Sequence, residues 1–257
     1  MNQSLPELTG KARSAIEESV VELKSEKAFD GRIHAEYGRD IKLEADLFLH
    51  QALLKRLTQS TGIGCLSEED KSSQRIEKRK PFWIIDPLDG SMNFSRGMPL
   101  YCVSVALWSS GEPTIGIVHD IPRNRMLWAC DGKTLSPEGK VTIGNVAQME
   151  RAVLSSGFPL KSDLSNSSVN WFLRFAADFK KVRMLGSAAL SLAWTAEGRL
   201  DAYFEHDIML WDVAAGLALV KGAGGVYFLR KGRHPMSYDV LAANPILAGK
   251  IQKSIGW

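Results

Sequence analysis

The sequence predicts a mixed α/β chain in which helical and sheet layers alternate as α/β/α/β/α. Three observations carry this: one-sided helical stripes near the start, a run of short strands through the middle, and regular strand-helix alternation after Arg151. The length of 257 residues and 45% apolar content suffice for a large core divided among several layers.

The first helix is read from Leu8 to Ala28, where Leu8, Ala12, Ala15, Ile16, Val20 and Leu23 form one stripe and Gly31 closes the segment. A second runs from Glu44 to about Leu57, with Leu47, Leu54 and Leu57 as its expected core face and Asp46 in the first turn, where a carboxylate suits the helix dipole. Lys71 to Lys80, KSSQRIEKRK, is a charge run without periodicity and reads as a solvated loop. Phe82 to Ile85 is a short apolar strand that stops at Asp86-Pro87-Leu88-Asp89-Gly90. Further strands are expected at Tyr101 to Leu107, Thr114 to His119 and Met126 to Ala129. The Gly- and Pro-containing stretch from Asp131 to Arg151 reads as a seam between an N-terminal half, 1–145, and a C-terminal half, 146–257, of one compact unit.

Beyond the seam, strands are expected at 152–155, 182–185, 201–205 and 225–229. They alternate with helices at 169–179, 187–196 and 211–221, and a final segment spans 241–255.

A formal charge of +3 from 32 basic and 29 acidic residues lacks the footprint of a nucleic-acid or membrane binder and points to a small-molecule partner. Cys65, Cys102 and Cys130 have neither a pairing pattern nor metal-ligand spacing, which suits a reducing compartment. The N-terminus has no basic segment followed by an apolar run, and no stretch approaches the ~20 apolar residues of a membrane span. The cytoplasm is the expected location.

The chemistry concentrates at carboxylates. Asp86 and Asp89 flank a stiff Pro-Leu turn at a strand end, an oxygen-rich corner suited to hard divalent cations, with the Leu88 carbonyl as a further ligand. Gly90-Ser91-Met92-Asn93 reads as a helix start whose free N–H groups can meet a phosphate oxygen. Ser67-Glu68-Glu69-Asp70 leaves a strand end and can reach the same corner, while Asp212 lies at or near the N-cap of a small-residue apolar helix. Each has a bland explanation when taken alone: Asp89-Gly90 as a turn, the acidic run as a solvated loop, Asp212 as a cap.

Together with their surroundings these segments resemble the inositol monophosphatase family of metal-dependent, lithium-sensitive phosphatases. WIIDPLDGSMNF at 83–94, SEED at 67–70 and WDVAAGLALVKGAGG at 211–225 are similar to the family's three signatures. DIKLEAD at 40–46, GFP at 157–159, LGSAALSLA at 185–193 and DVLAANP at 239–245 extend the match in the family's order. The resemblance implies the sandwich fold that this family shares with fructose-1,6-bisphosphatase, a homodimer, and two or three Mg2+ per site, with Mn2+ as a substitute. It also implies roles by position. Glu68, Asp86 and the Leu88 carbonyl would hold a first metal, and Asp86, Asp89 and Asp212 a second. Glu68 and Ser91 would activate water, with Asp46 as the partner of Ser91. The N–H groups of Gly90 and Ser91 would cradle phosphate, and Gly186, Ser187, Glu205, Asp89 and Asp212 would lie against substrate.

Departures from the family pattern are Ser91 in place of threonine, Ser67 in place of glycine, Lys42-Leu43 in place of valine-threonine, and the basic Arg123 and Arg125. Lys181 and Arg183 are either surface charges or within reach of an anionic substrate, and the histidines read as structural. No nucleophile elbow, P-loop or dinucleotide fingerprint is present. Met92 stands where relatives acting on 3′-phosphoadenosine nucleotides or histidinol phosphate carry lysine. The substrate implied is therefore a phosphorylated polyol or sugar, first inositol 1-phosphate, with fructose 1,6-bisphosphatase or a dual-specificity sugar phosphatase as the alternative, and a 3′(2′),5′-bisphosphate nucleotidase or a catalytically silent binding protein as the remoter ones.

Overall fold

The computed structural model describes residues 3–26, 33–37, 40–69, 80–158 and 163–257. Of the charge run Lys71 to Lys80, residues 71–79 therefore lie outside the described residues. Helices are α1 (Leu5–Ser25), α2 (Glu44–Thr61), α3 (Ser91–Ser95), α4 (Asn166–Ala177), α5 (Ala188–Ala196), α6 (Leu210–Gly222) and α7 (Pro245–Ile255). Strands β1 (Ile33–Tyr37) and β2 (Asp40–Leu43) form a hairpin. Strands β3 (Cys65–Ser67), β4 (Phe82–Asp89), β5 (Cys102–Ser109), β6 (Glu112–Asp120), β7 (Arg125–Cys130), β8 (Lys133–Ser136) and β9 (Gly139–Lys140) follow one another in a seven-stranded sheet, antiparallel except for the parallel pair β3–β4. The second sheet has five strands in the order β11-β10-β12-β14-β13: β10 (Val153–Ser155), β11 (Lys181–Arg183), β12 (Ala202–Met209), β13 (Val226–Lys231) and β14 (Ser237–Ala243).

Three cores separate five layers, the arrangement expected from the sequence. Helices α1 and α2 pack on Trp83, Ile85, Val103, Val105, Ile115 and Ile117 of the large sheet. The opposite face, through Phe82, Ile84, Ala106, Val118 and Leu127, meets α5 and α6, which also contact Tyr203, Val240 and Ala242 of the small sheet. The outer face of that sheet, through Leu154, Phe204 and Leu241, is covered by α4 and α7.

Helix α6 lies between two sheets, and every residue from Val213 to Val220 is buried, which explains its lack of a polar face. Gly116 permits its close approach, since a Cβ there would collide with the Ala215 carbonyl and the Ala218 methyl. The middle of α6 is thereby fixed against the large sheet.

Several sequence expectations shift. The core face of α2 is Ala45, Leu49, Leu53 and Leu57, rather than Leu47 and Leu54 with Leu57, because Leu47, Phe48, Leu49, Leu53 and Leu54 give this helix apolar residues on more than one side. The strand read as ending at Ile85 continues to Asp89. The stretch 131–151 contains β8 and β9, which extend the first sheet before the chain crosses to the second. The segment 241–255 divides into the end of β14 and helix α7, separated by Asn244, whose side chain caps α7 through the amides of Ile246 and Leu247.

His119 continues the inward alternation Ile115, Ile117, His119 of β6 and is 4% exposed, with no hydrogen-bond partner for either ring nitrogen among the described residues. Burial, aided by the positive charge of Lys24, lowers its pKa from 6.5 to about 4. The unfolded chain therefore binds more protons than the folded one between these values, so His119 contributes stability above pH 6.5 that is lost as pH falls toward 4. The contribution is on the order of 3 kcal/mol. His119→Leu is expected to be at least as stable at neutral pH and to flatten the acid limb of a urea-denaturation series between pH 6.5 and 4; an unchanged limb would refute the assignment.

Candidate active site

The site forms where α2, α3, α5, α6 and the ends of β3, β4 and β12 converge on a cleft of about 320 Å3. Glu68, Asp86, Leu88, Asp89, Gly90, Ser91, Gly186, Ser187, Glu205 and Asp212 all border it. Asp46 stands behind Ser91.

A break in register in β4 aims the first two aspartates. Residues three apart on a regular strand point to opposite faces. Here Asp86 pairs with Ser104 and Asp89 with Cys102, so three steps on β4 oppose two on β5. The extra residue is a bulge at Pro87, which has no N–H to give to the ladder, and it returns Asp89 to the face of Asp86. Asp86 also accepts the Leu88 N–H at 3.0 Å, which tightens the turn.

Asp46 and Asp212 share a local device. Each is the third residue of its helix and accepts the N–H of the residue preceding it, Leu43 at 2.7 Å for Asp46 and Met209 for Asp212. Asp212 thus stands near the N-cap, as expected from sequence, at the third helical position rather than at the cap itself. The other oxygen of Asp46 receives the Ser91 hydroxyl at 2.9 Å, which also lies 2.8 Å from the Leu88 carbonyl. These contacts restrict the serine rotamer that the missing threonine methyl leaves freer. Ser67, at a position expected to hold glycine, has its Oγ 2.9 Å from His50 Nδ1.

Asp89 faces the N-terminus of α5. Its Oδ2 accepts the Ser187 hydroxyl at 2.6 Å and the Ala189 N–H at 2.7 Å. Gly90 has φ +93°, and a Cβ there would meet the Leu100 carbonyl at 2.6 Å, so the turn into α3 requires glycine. Asn93 donates to the carbonyls of Leu100 and Leu185, both at 2.8 Å, joining α3 to the turn that carries Gly186 and Ser187. Lys181 and Arg183 are exposed on β11 and do not line the cleft; Arg123 and Arg125 lie away from it, paired with Asp120 and with Glu138 and Glu197.

Oxygens of Glu68, Asp86 and Asp212 come within 4.8 Å of one another. Asp86 and Asp212 are held well above the usual carboxylate range, first by burial and then by repulsion from neighbouring carboxylates, chiefly Glu68 and Asp89. Burial raises Asp89 to about 6 against the bonds from Ser187 and Ala189. It raises Glu205 to about 7, opposed by the Tyr203 hydroxyl at 2.7 Å. Among the described residues no lysine or arginine pairs with Asp86, Asp89 or Asp212. An oxygen-only donor set, buried at Asp86 and Asp89 and half-buried at Glu68 and Asp212, fits hard divalent cations.

The pattern described as the inositol monophosphatase family matches residues 6–255. The chain belongs to this family. It is accordingly a phosphoric monoester hydrolase of a metal-dependent family that acts on small phosphorylated substrates. It is 35% identical over 229 residues to the Nus factor SuhB of Xylella fastidiosa, covering 84% of this chain and 82% of that protein. To the inositol-1-monophosphatase of Caulobacter vibrioides it is 32% identical over 215 residues, covering 81% and 82%. The inositol monophosphatase structure from Anabaena superposes with a TM-score of 0.83 at 24% identity, over 98% of this chain and 96% of that one, a likeness of fold. No helix among the described residues is long and apolar enough to cross a membrane.

The carboxyl shifts fix a sign. A carboxyl group whose pKa is raised by folding leaves the folded state with more protons than the unfolded state between the two values, so stability declines as pH rises through that window. For Asp89 the window runs from 3.8 to about 6, and for Glu205 from 4.5 to about 7. In a His119→Leu background, which removes the opposite-sign histidine contribution, melting of the metal-free protein is expected to drop by several degrees between pH 5 and 8. Millimolar Mg2+ should restore it by binding the folded state alone. A metal-free melting temperature that climbs over this range, or one indifferent to Mg2+, would contradict the site.

Proposed function

We propose that the chain is a Mg2+-dependent phosphatase that hydrolyses the phosphate monoester of a small polyol, first inositol 1-phosphate. The observation that carries this reading is the convergence of Glu68, Asp86 and Asp212, with Asp89 beside them, in one cleft with the Ser91-Asp46 pair. Glu68, Asp86 and the Leu88 carbonyl would hold one ion, and Asp86, Asp89 and Asp212 another, with Mn2+ as a substitute. When bound, such ions supply positive charge against the phosphate and make a water molecule more acidic.

The side chains do the rest. Glu68 and the Ser91 hydroxyl orient a water and take its proton toward Glu68, with Asp46 accepting the Ser91 hydrogen so that a serine lone pair faces the water. The Gly90 and Ser91 N–H groups hold phosphate oxygens. The new O–P bond forms opposite the bond to the alcohol, which departs as alkoxide and takes up a proton. Water and R–O–PO3 thus become R–OH and inorganic phosphate. Glu205, with Gly186 and Ser187 nearby, meets hydroxyls of the alcohol, and its raised pKa makes it a donor as well as an acceptor near neutral pH.

The halves 1–145 and 146–257 work as one unit in this reading, since the first brings Glu68, Asp86 and Asp89 and the second Asp212. Family membership further supports lithium inhibition, a homodimer and a cytoplasmic setting. Fructose 1,6-bisphosphate is the alternative substrate.

Phosphate release from inositol 1-phosphate and fructose 1,6-bisphosphate, with and without Mg2+, tests the reading. Release should require Mg2+, and Asp89→Asn should abolish it. Ser91→Ala should lower kcat by roughly 10²-fold or more. Full activity in chelator, or in either variant, would overturn the mechanism. Sedimentation should give twice the 28.4 kDa chain mass, and a monomer at micromolar concentration would remove the dimer.

A further inference from the structure

Strand β12 carries a bulge like that of β4. Glu205 pairs with Val240 and Ile208 with Tyr238, so three steps on β12 oppose two on β14. Glu205 and Ile208 thereby both reach the catalytic cleft. His206 and Asp207 turn the other way, toward a second cavity of about 640 Å3 that Phe158, Trp171 and Arg233 also line. The aim of Glu205 thus depends on the backbone at the bulge. There Asp207 takes φ +53°, a left-handed conformation that favours glycine and that a residue with a side chain keeps only where its surroundings hold it.

What holds Asp207 is the turn between β13 and β14. Its N–H donates to Asp239 Oδ1 at 3.1 Å, and both of its own carboxylate oxygens are engaged. Oδ1 accepts the Arg233 N–H at 2.5 Å and lies 3.4 Å from Ser237 Oγ, while Oδ2 accepts Arg233 Nε at 2.6 Å. Gly232 lets the turn close on this carboxylate, since a Cβ there would meet Asp207 Oδ1 at 2.5 Å. The same turn also reaches α6, where the Met236 carbonyl accepts the Leu210 N–H at 3.0 Å, two residues before Asp212. The backbone of the turn therefore braces the helix that bears Asp212, whereas the Arg233 side chain acts at the bulge.

We propose that Arg233 is a positioning residue for the reaction: by clamping Asp207 in the left-handed region it fixes the bulge that presents Glu205 to the hydroxyls of the substrate's alcohol. This rests on the phosphatase reading of the cleft, in which Glu205 meets the leaving alcohol while the phosphate is held at Gly90 and Ser91. Arg233 does not line that cleft. Loss of its side chain therefore impairs recognition of the alcohol and spares the phosphate chemistry. A glycine at 207 makes the clamp unnecessary, because glycine enters the left-handed region without help.

The test compares two esters with the full-length Mg2+-loaded protein: inositol 1-phosphate, whose ring offers hydroxyls to Glu205, and phenyl phosphate, whose alcohol offers none. Arg233→Ala should lower kcat/KM for the inositol ester about tenfold, chiefly through KM, and leave that for phenyl phosphate within about twofold. Arg233→Lys should recover part of the loss, and Asp207→Gly introduced into Arg233→Ala should recover most of it. Hydrogen exchange should be faster across β12 in Arg233→Ala than in the wild type. An unchanged ratio between the esters, an equal loss for both, or a loss that Asp207→Gly does not relieve would overturn the proposal. If the wild type releases phosphate from neither ester, the phosphatase reading fails and hydrogen exchange alone decides the clamp: faster exchange across β12 in Arg233→Ala keeps it, and unchanged exchange overturns it.

Discussion

Carboxylates in a dry corner repel one another, and the organisation of this molecule follows from that constraint. Asp86 is buried and Asp212 half-buried, both with raised pKa values, and among the described residues neither forms an ion pair with a lysine or arginine. Left to themselves such groups would protonate or drift apart, and what prevents drift is backbone. Asp46 and Asp212 are each tied by one oxygen to the amide at the head of their own helix, and Asp89 is tied to the head of another. Helix heads bear partial positive charge, so the fold offsets part of the repulsion with dipoles while leaving oxygens for a metal.

Two bulges solve one geometric problem in both sheets. A strand presents alternate residues to a face, which separates groups that chemistry needs side by side. One added residue in β4 brings Asp86 and Asp89 together, and one in β12 turns Glu205 and Ile208 to the catalytic cleft while sending His206 the other way. Neither correction would hold on a loose scaffold. The close approach of α6 to Gly116 and the three stacked cores supply the rigidity that keeps the corrected residues in register.

Much of this was legible in the sequence, and the omissions have physical causes. The Asp86-Pro87-Leu88-Asp89-Gly90 turn, the apolar α6 and the alternation after Arg151 announced the acidic corner and the layers because each is a local pattern. The bulge was read as a strand end, since a proline looks the same in either setting. The core face of α2 was misplaced because five apolar residues encircle much of the helix. Strands β8 and β9 lay hidden among glycines and polar residues, where edge strands carry weak alternation. The second cavity had no local signal at all: Phe158, Trp171, His206 and Arg233 meet only because the sheet order sets β12 between β10 and β14. His119 occupies an isoleucine-like position and gave no hint of its missing partners.

The distribution of ligands along the chain bears on how the protein is made. Glu68, Asp86 and Asp89 leave the ribosome with the first sheet, whereas Asp212 follows only after β12, and β13 and β14 complete the second sheet over its helix later still. A nascent chain therefore carries an incomplete acidic corner until α6 has been made. An ion held as proposed by Glu68, Asp86 and Asp212 would lock together parts of the polypeptide that were translated far apart in time.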